Sequence, residues 1–350
     1  MTITEKDFGQ GYHLITLSNT HELKLAVTDL GARIVQLTAN DRELILGFDS
    51  AQEYLTKDAY IGATIGRTAG RIEKGQFSLN DQTYQLSVDP QTGHSLHGGT
   101  PGFEQKKWTY QLSETDEESS VTFTTTSPDG EHGFPGNLSV EVCYTLTEDN
   151  IWRVRTQAIS DQDTLFNPTN HVYFNLSGDV EESIDQHTLW LDSESFAPLR
   201  PDSIPTGEKA SVAQTAFDFQ TAFDFQTPQK LATVFTSQFE QKQLVDGIDH
   251  PFFLNNPDMN HVSAYLLSPD EQIKVSIMTD SPSVVIFTAN FGQDTPEMHG
   301  KKLANHGGIT FETQIAPGAE QYPAFGNIHL AAHTPFETTT EFKIDTREGI

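Results

Sequence analysis

The chain has 350 residues, and its 49 acidic and 21 basic side chains give a formal net charge of −28. A surface this negative repels phosphate backbones and anionic membrane faces, which excludes nucleic acid and membranes as the main partners. We therefore expect a small partner that is neutral or cationic. With 36% hydrophobic residues, the composition is that of an ordinary globular protein.

The sequence also indicates a compartment. The single cysteine, Cys143, has no partner for an internal disulfide and excludes cysteine zinc clusters. The segment from Met1 to Phe8 lacks the basic and apolar regions of a signal peptide. No apolar run reaches the roughly 18 residues that span a bilayer. We therefore expect a cytoplasmic protein.

Apolar and polar residues alternate with a period of two along much of the chain, which indicates strands with one buried face. The pattern is first seen at Leu23, Leu25 and Val27, and again at Val121 and Phe123. Helical spacing is rare by comparison. These segments therefore predict short strands.

The clearest predicted hairpin follows in the middle of the chain. Alternation over Leu138–Leu146 and again over Trp152–Ala158 is interrupted by the turn residues Thr147–Asn150, as in two paired strands. The acidic cluster Glu114–Glu118 is typical of a solvated hairpin tip, so we expect no domain boundary there.

The tandem hexapeptide TAFDFQ occupies Thr215–Gln220 and again Thr221–Gln226. Because six is an even number, one extra copy leaves the following side chains on the same faces of an extended segment. We interpret it as a duplication tolerated in a surface loop. The alternative is an extra aromatic contact for a ligand or a subunit.

The last part of the chain completes the prediction of an all-β fold. Pro228–Phe239 predicts a short connecting helix, and Ile273–Ile277 predicts a strand. Ser283–Ala289 is apolar on both faces, so we expect a central strand that is covered on both sides. Many short strands, with 25 glycines and 17 prolines, favour a large antiparallel β-sandwich.

Several familiar signatures are missing. The glycine-rich segment Gly62–Gly70 lacks the ending of a P-loop and the spacing of a dinucleotide site. No Gly-x-Ser-x-Gly elbow or His-Glu-x-x-His occurs. A metal site is also disfavoured, because the histidines outside the i, i+3 pair show no compact ligand spacing; the histidines considered are His94, His97, His250, His261, His299 and His306.

Four segments place a titratable side chain beside glycine, asparagine or aromatic residues, and they centre on His97, His171, Asp249 and Glu312. For both histidines and for Asp249, a structural role in a turn is the alternative to a catalytic role. Glu312 lies in an apolar stretch, so it is either an edge residue facing water or a buried group with a function.

The same segments resemble the aldose 1-epimerase (galactose mutarotase) family. Five motifs occur in the order of that family: GRTAGRI at 66–72, LHGG at 96–99, NPTNHVYFNL at 167–176, IDHPF at 248–252 and FETQ at 311–314. The resemblance runs from about residue 19 to about residue 322. Two features depart from it: Gly70 stands where many members have asparagine, and the hexapeptide usually occurs once.

The resemblance implies one β-sandwich domain over residues 1–350 and an isomerase without cofactor or metal. Such an enzyme interconverts the α and β anomers of free aldohexoses such as galactose and glucose. By position, Glu312 resembles the base that takes the proton from the C1 hydroxyl, and His171 resembles the acid that protonates the ring oxygen. His97 resembles a second histidine near that oxygen. Arg71 and Asp249 resemble residues that hold sugar hydroxyls.

The chemistry agrees with these residues, because mutarotation needs one base and one acid. Three alternatives stay open. A hexose-6-phosphate 1-epimerase would need clustered arginines, and Arg67 and Arg71 are the one close pair near a motif. A non-catalytic sugar-binding protein of the same fold is the second alternative, and a glycosidase using Asp249 and Glu312 is the third. We expect a monomer or a homodimer.

Overall fold

The computed structural model describes residues 1–220 and 229–347. Short strands dominate the described residues. In the first half they are β1 (Thr2–Gly9), β2 (Tyr12–Ser18), β3 (Lys24–Thr28), β4 (Arg33–Ala39), β5 (Arg42–Glu43), β6 (Thr64–Ile65), β7 (Arg71–Ile72), β8 (Gln76–Leu79), β9 (Gln82–Gln85), β10 (Ser95–Leu96), β11 (Thr109–Glu114), β12 (Glu118–Ser127), β13 (Leu138–Thr147), β14 (Ile151–Ser160), β15 (Thr164–Leu165), β16 (Thr169–Asn170) and β17 (Tyr173–Phe174).

The second half continues in the same manner, with β18 (Thr188–Leu191), β19 (Ser195–Phe196), β20 (Ala210–Ser211), β21 (Asp249–Phe253), β22 (Ala264–Leu267), β23 (Ile273–Thr279), β24 (Ser283–Phe287), β25 (Glu297–Met298), β26 (Lys301–Lys302), β27 (Ile309–Thr310), β28 (Glu312–Gln314), β29 (His329–Leu330) and β30 (Phe336–Thr346). The α-helices are α1 (Ala51–Thr56), α2 (Leu231–Phe235) and α3 (Glu240–Val245). Single 3₁₀ turns lie at Glu73–Gly75, Phe103–Gln105, Glu131–Gly133, Ile184–Gln186 and Pro323–Phe325.

Three antiparallel sheets form the body of the molecule. An eight-stranded sheet has the order β11-β12-β13-β14-β30-β23-β22-β18, and two five-stranded sheets have the orders β1-β2-β3-β4-β5 and β20-β19-β21-β24-β28. One continuous core joins them, since Leu25, Val142 and Phe252 from the three sheets belong to the same buried cluster. The predicted all-β sandwich is therefore confirmed.

The predicted hairpin is β13 with β14, in which Val142 faces Thr156 and Tyr144 faces Val154. Alternate residues of β13 are buried, as expected of a strand with one face on the core. Asn150, in the turn between the strands, has a φ of 60°, a conformation that asparagine tolerates better than most residues. The pattern of the sequence thus located both strands and the turn.

Two other predicted features are also confirmed. The exposed turn at residues 115–117 joins β11 to β12, so the acidic cluster is the tip of a hairpin. Strand β24 lies between β21 and β28, and its residues from Ser283 to Ile286 are buried. The doubly apolar run therefore marked an interior strand.

The predicted connecting helix is shorter in the structure. The helical spacing rested on Leu231 and Phe235, with Val234 as a third position; helix α2 buries Leu231 and Val234, and Phe235 is half-buried. The sequence did not indicate α3, which has no buried residue and therefore no apolar periodicity to detect.

The first copy of the hexapeptide corrects our interpretation. Phe217 and Phe219 are only 1% and 2% exposed, although Phe217 lies in a turn and Phe219 lies outside any strand. Their rings pack on Phe252, at centroid distances of 5.7 and 6.0 Å. The surface-loop prediction is therefore wrong for this copy. The second copy, Thr221–Gln226, lies outside the described residues.

None of the helices in residues 1–220 and 229–347 combines the length and the apolar character needed to cross a membrane.

Candidate active site

Pairing between β21, β24 and β28 builds the floor of a cavity of about 190 Å³. Pro251 lies opposite Val285, which lies opposite Glu312, and Asp249 lies opposite Phe287. Because side chains alternate across a strand, these five side chains share one face of the sheet. The cavity lies on that face, and all five line it.

The structure brings all the predicted site residues together. His97 and Arg71 reach the cavity from the antiparallel pair β7 and β10, in which Leu96 lies opposite Arg71. His171 reaches it from the link between β16 and β17. The other two, Asp249 and Glu312, come from the floor.

A histidine and a carboxyl group meet inside this cavity. His171 Nε2 lies 3.4 Å from Glu312 Oε1, and the two residues are 5% and 3% exposed. The backbone of His171 is fixed on both sides, because its N–H donates to Ala63 and its carbonyl accepts from Gly62. The pair is thus held rigidly and shielded from water.

Burial raises the pKa of Glu312 to about 8, and the negative charge of Asp249 adds to the effect. Hydrogen bonds from Thr310 Oγ1 at 3.2 Å and Gln314 Nε2 at 3.4 Å oppose it. Both bonds are long, so they stabilise the ionised carboxylate only weakly. Glu312 therefore exchanges its proton near neutral pH, as a general base requires.

Burial lowers the pKa of His171 to about 4, against the opposing charges of Asp58 and Asp249. Within the described residues its Nδ1 has no hydrogen-bond partner. The ring is held by packing instead, with centroids 5.0 Å from Tyr173 and 6.3 Å from Tyr60. Its Nε2, facing Glu312, is the nitrogen that is placed for proton transfer.

His97 lies in the predicted turn, with a φ of 51°. Its Nδ1 accepts a hydrogen bond of 3.2 Å from the N–H of Gly70, so the neutral ring carries its proton on Nε2. Burial lowers its pKa well below the usual value, and the charges of His171 and Arg71 act in the same direction. The ring lies 5.3 Å from that of His171, so the Nε2 donor of His97 belongs to a ring beside the His171–Glu312 pair.

A second charged pair lies at the mouth of the cavity. Arg71 Nη1 and Asp249 Oδ2 are 3.8 Å apart, and the two side chains are 28% and 22% exposed. This separation is too long for a hydrogen bond, so both groups keep donors or acceptors for a ligand. Burial raises the pKa of Asp249, whereas the charge of Arg71 lowers it.

The structure gives a local reason for glycine at position 70, where many members of the family that the sequence resembles have asparagine. Its φ is 75°, and a Cβ atom there would lie 2.4 Å from the side chain of Pro317. Both residues line the cavity. A larger residue at position 70 would thus displace Pro317.

Sequence reasoning missed part of the lining. Asp58 and Tyr60 line the cavity from the segment after α1, and the ring of Tyr60 lies 4.9 Å from that of His97. No motif surrounds Asp58, so no local pattern in the sequence indicates it. The remaining lining residues are Leu96, Tyr173, Leu199, Ser203, Pro205 and Phe291.

Arg67, the other half of the predicted arginine pair, does not line the cavity. It is 2% exposed, and its guanidinium donates to the backbone carbonyls of Ser127, Pro135 and Gly136. The Arg67–Arg71 pair therefore offers a phosphate group only one of its two members.

The histidines considered as metal ligands lie apart from one another. His94 is near Asp202 and His299 near Asp49, at 3.6 and 2.9 Å. In the described part of the chain, no group of three or more histidine, cysteine or acidic residues is placed to hold a metal ion.

Comparison with known proteins identifies related sequences and structures. The sequence model of the family Aldose 1-epimerase matches residues 13–343. An aldose 1-epimerase of Haemophilus influenzae is 34% identical over 345 residues, with 96% of each chain covered. A galactose mutarotase of Bos taurus is 35% identical over 330 residues, or 92% of this chain and 91% of the relative. The crystal structure of a galactose 1-epimerase from Lactobacillus acidophilus superposes with a TM-score of 0.87 at 28% identity, covering 99% of both chains.

Proposed function

The chain belongs to the aldose 1-epimerase family, and on that premise we propose that Glu312 and His171 interconvert the α and β anomers of free aldohexoses in this cavity. The curated relatives, over nine-tenths of both chains, support the activity. One observation carries the assignment of the site: a carboxyl group and an imidazole, both buried, lie 3.4 Å apart where a ligand can enter.

Ring opening moves one proton at each of the two oxygens of the hemiacetal, O1 and O5. Glu312 takes the proton from the C1 hydroxyl, and the electrons of that O–H bond form the C1 carbonyl. The C1–O5 bond breaks, and His171 donates a proton to O5. Rotation about C1–C2 then presents the other face of the carbonyl, and the reverse transfers close the ring. Each positioned group contributes about 10²–10⁴-fold to the rate.

The pair holds one proton throughout the reaction. Burial favours protonated Glu312 and neutral His171 in the free site. Ring opening starts from the other form, with the proton on His171 and Glu312 ionised, and it ends with Glu312 protonated and His171 neutral. Burial disfavours the charged form of each group. The environment therefore favours the uncharged pair that accompanies the open-chain sugar.

The other polar residues bind the sugar in this proposal. His97 donates from Nε2 toward the ring oxygen, which stabilises the charge that develops there. Arg71 donates to sugar hydroxyls, and Asp249 accepts from them. Galactose and glucose are the proposed substrates.

We also propose that residues 1–350 form one domain of a cytoplasmic monomer or homodimer. One family sequence model spans residues 13–343, which supports the single domain. The single cysteine agrees with a reducing compartment.

Polarimetry tests the activity directly. Freshly dissolved α-galactose and α-glucose are followed with and without the protein, so that spontaneous mutarotation provides the baseline. We expect the protein to accelerate the approach to the same final rotation for both sugars. A rate equal to the baseline for every aldose tried would contradict the proposal, and release of a new reducing sugar from a glycoside would indicate a glycosidase.

A further inference from the structure

Asp58 brings to the cavity a carboxylate that the mechanism above does not use. Its Oδ1 accepts hydrogen bonds from the N–H groups of Tyr60 at 2.8 Å and Ile61 at 3.4 Å, which fix the orientation of the carboxylate. Across residues 1–220 and 229–347, no hydrogen bond is found at Oδ2, and no cationic group lies within 4.0 Å. One oxygen of Asp58 is therefore free for a ligand.

The charged groups around Asp58 do not neutralise the cavity. Arg33 lies close enough for Asp58 to influence its pKa, but its guanidinium donates to backbone carbonyls, including those of Ala59 and Ile61. Of the described lining residues, Arg71 is the one with a permanent positive charge, and Asp249 lies 3.8 Å from it.

The negative charge of Asp58 is also felt by the groups inside the cavity. After burial, which lowers the pKa of His171 and raises that of Tyr173, Asp58 is the leading charge acting on both groups. Since burial keeps both cavity histidines neutral at neutral pH, the carboxylate of Asp58 has no cationic partner among the described residues of the free site.

We propose that Asp58 binds a cationic substituent of the sugar, so that this epimerase favours aldoses with an amino group over aldoses with a carboxylate or phosphate. The inference rests on the proposed function. An ammonium group gives Oδ2 a charge-assisted hydrogen bond, a neutral sugar gives it a hydroxyl, and an anionic sugar meets repulsion. The formal net charge of −28 acts in the same direction at long range.

The experiment compares the protein with its Asp58→Asn variant on four sugars. The sugars are galactose, 2-amino-2-deoxygalactose, 6-amino-6-deoxygalactose and galacturonate, at low salt and at a pH where the amines are protonated. For at least one amino sugar, the substitution should lower kcat/KM relative to galactose by about fivefold, the effect of a solvent-screened ion pair. The same substitution should raise kcat/KM for galacturonate relative to galactose.

Asp41→Asn is the matched control, because it removes one negative charge from an exposed turn residue with a φ of 59°. Equal changes in the two variants, or no change in either, would overturn the inference and leave the proposed function intact. Failure of the unaltered protein to accelerate galactose mutarotation would instead contradict the proposed function. If Asp58→Asn does not fold, the amino-sugar preference of the unaltered protein should fall with added salt, and a salt-independent preference would overturn the inference.

Discussion

Two contacts between a histidine and a carboxyl group have opposite electrostatic outcomes in this molecule. In the cavity, His171 lies 3.4 Å from Glu312, and the pKa of Glu312 is raised to about 8. Asp192 lies between β18 and β19, and His261, between β21 and β22, is 2.8 Å from it; the pKa of Asp192 is lowered. The shorter contact thus belongs to the carboxylate that keeps its charge.

The difference comes from burial, which is deeper at Glu312, and from the other donors. Burial raises the pKa of Asp192 too, but Asn255, Asn256 and His261 donate to its carboxylate and together outweigh burial. Glu312 has two long bonds and a nearby negative charge. A carboxylate with many donors holds the structure, whereas one with few donors keeps a proton that can move.

Replacing Glu312 is the strongest test of this contrast. Glu312→Gln keeps the shape of the side chain but removes the base, so kcat should fall by about 10³–10⁴-fold, with little change in the affinity for sugar. Polarimetry measures the rate, and equilibrium binding of galactose measures the affinity. A near-normal rate would remove Glu312 from its proposed role.

His171→Asn should have the next largest effect. It removes the acid, so we expect kcat to fall by about 10²–10³-fold. His261→Asn is the matched control, because it removes the histidine of the other pair and should leave kcat unchanged. Similar losses in both variants would mean that a general structural effect, and not proton transfer, lowers the rate.

The pH dependence of the unaltered enzyme tests the shared proton. Below a pH of about 4 the His171–Glu312 pair gains a second proton, and above about 8 it loses its only one. Because the reactive pair holds one proton, kcat/KM should be highest between these limits and fall about tenfold per pH unit beyond each. A profile that stays flat far above pH 8 would contradict the raised pKa of Glu312.

The sequence could predict which residues meet in the cavity because each lies in a short local pattern. Glycine or aromatic residues flank His97, His171 and Glu312, and the resemblance supplied their roles. Asp58 could not be found in this way, since it reaches the cavity only through the packing of the segment after α1.

The hydrogen-bond donors around Asp192 could not be predicted from the sequence either. Its donors lie at positions 220, 255, 256 and 261, and no spacing rule joins such dispersed polar residues. Alternation predicted the longer strands such as β13 and β14, because one face of each packs on a common core. Alternation does not account for Phe217, which is buried although it lies in a turn.

The smallest expected effect on activity, and a clear one on stability, belongs to Asp192→Ala. The change leaves kcat unchanged because Asp192 does not line the cavity, but it deprives the donors around it of their acceptor. We expect the free energy of unfolding to fall by about 1–3 kcal/mol at neutral pH, measured by urea denaturation.

The lowered pKa of Asp192 in the folded state means that this stabilisation is present above the unfolded-state pKa of about 3.9. As the pH falls through the folded-state pKa, it is lost and the two proteins should converge in stability. A stability difference that persists in acid would show that packing, and not the charge of Asp192, stabilises this region. A fall in kcat would contradict the purely structural role of the His261–Asp192 pair.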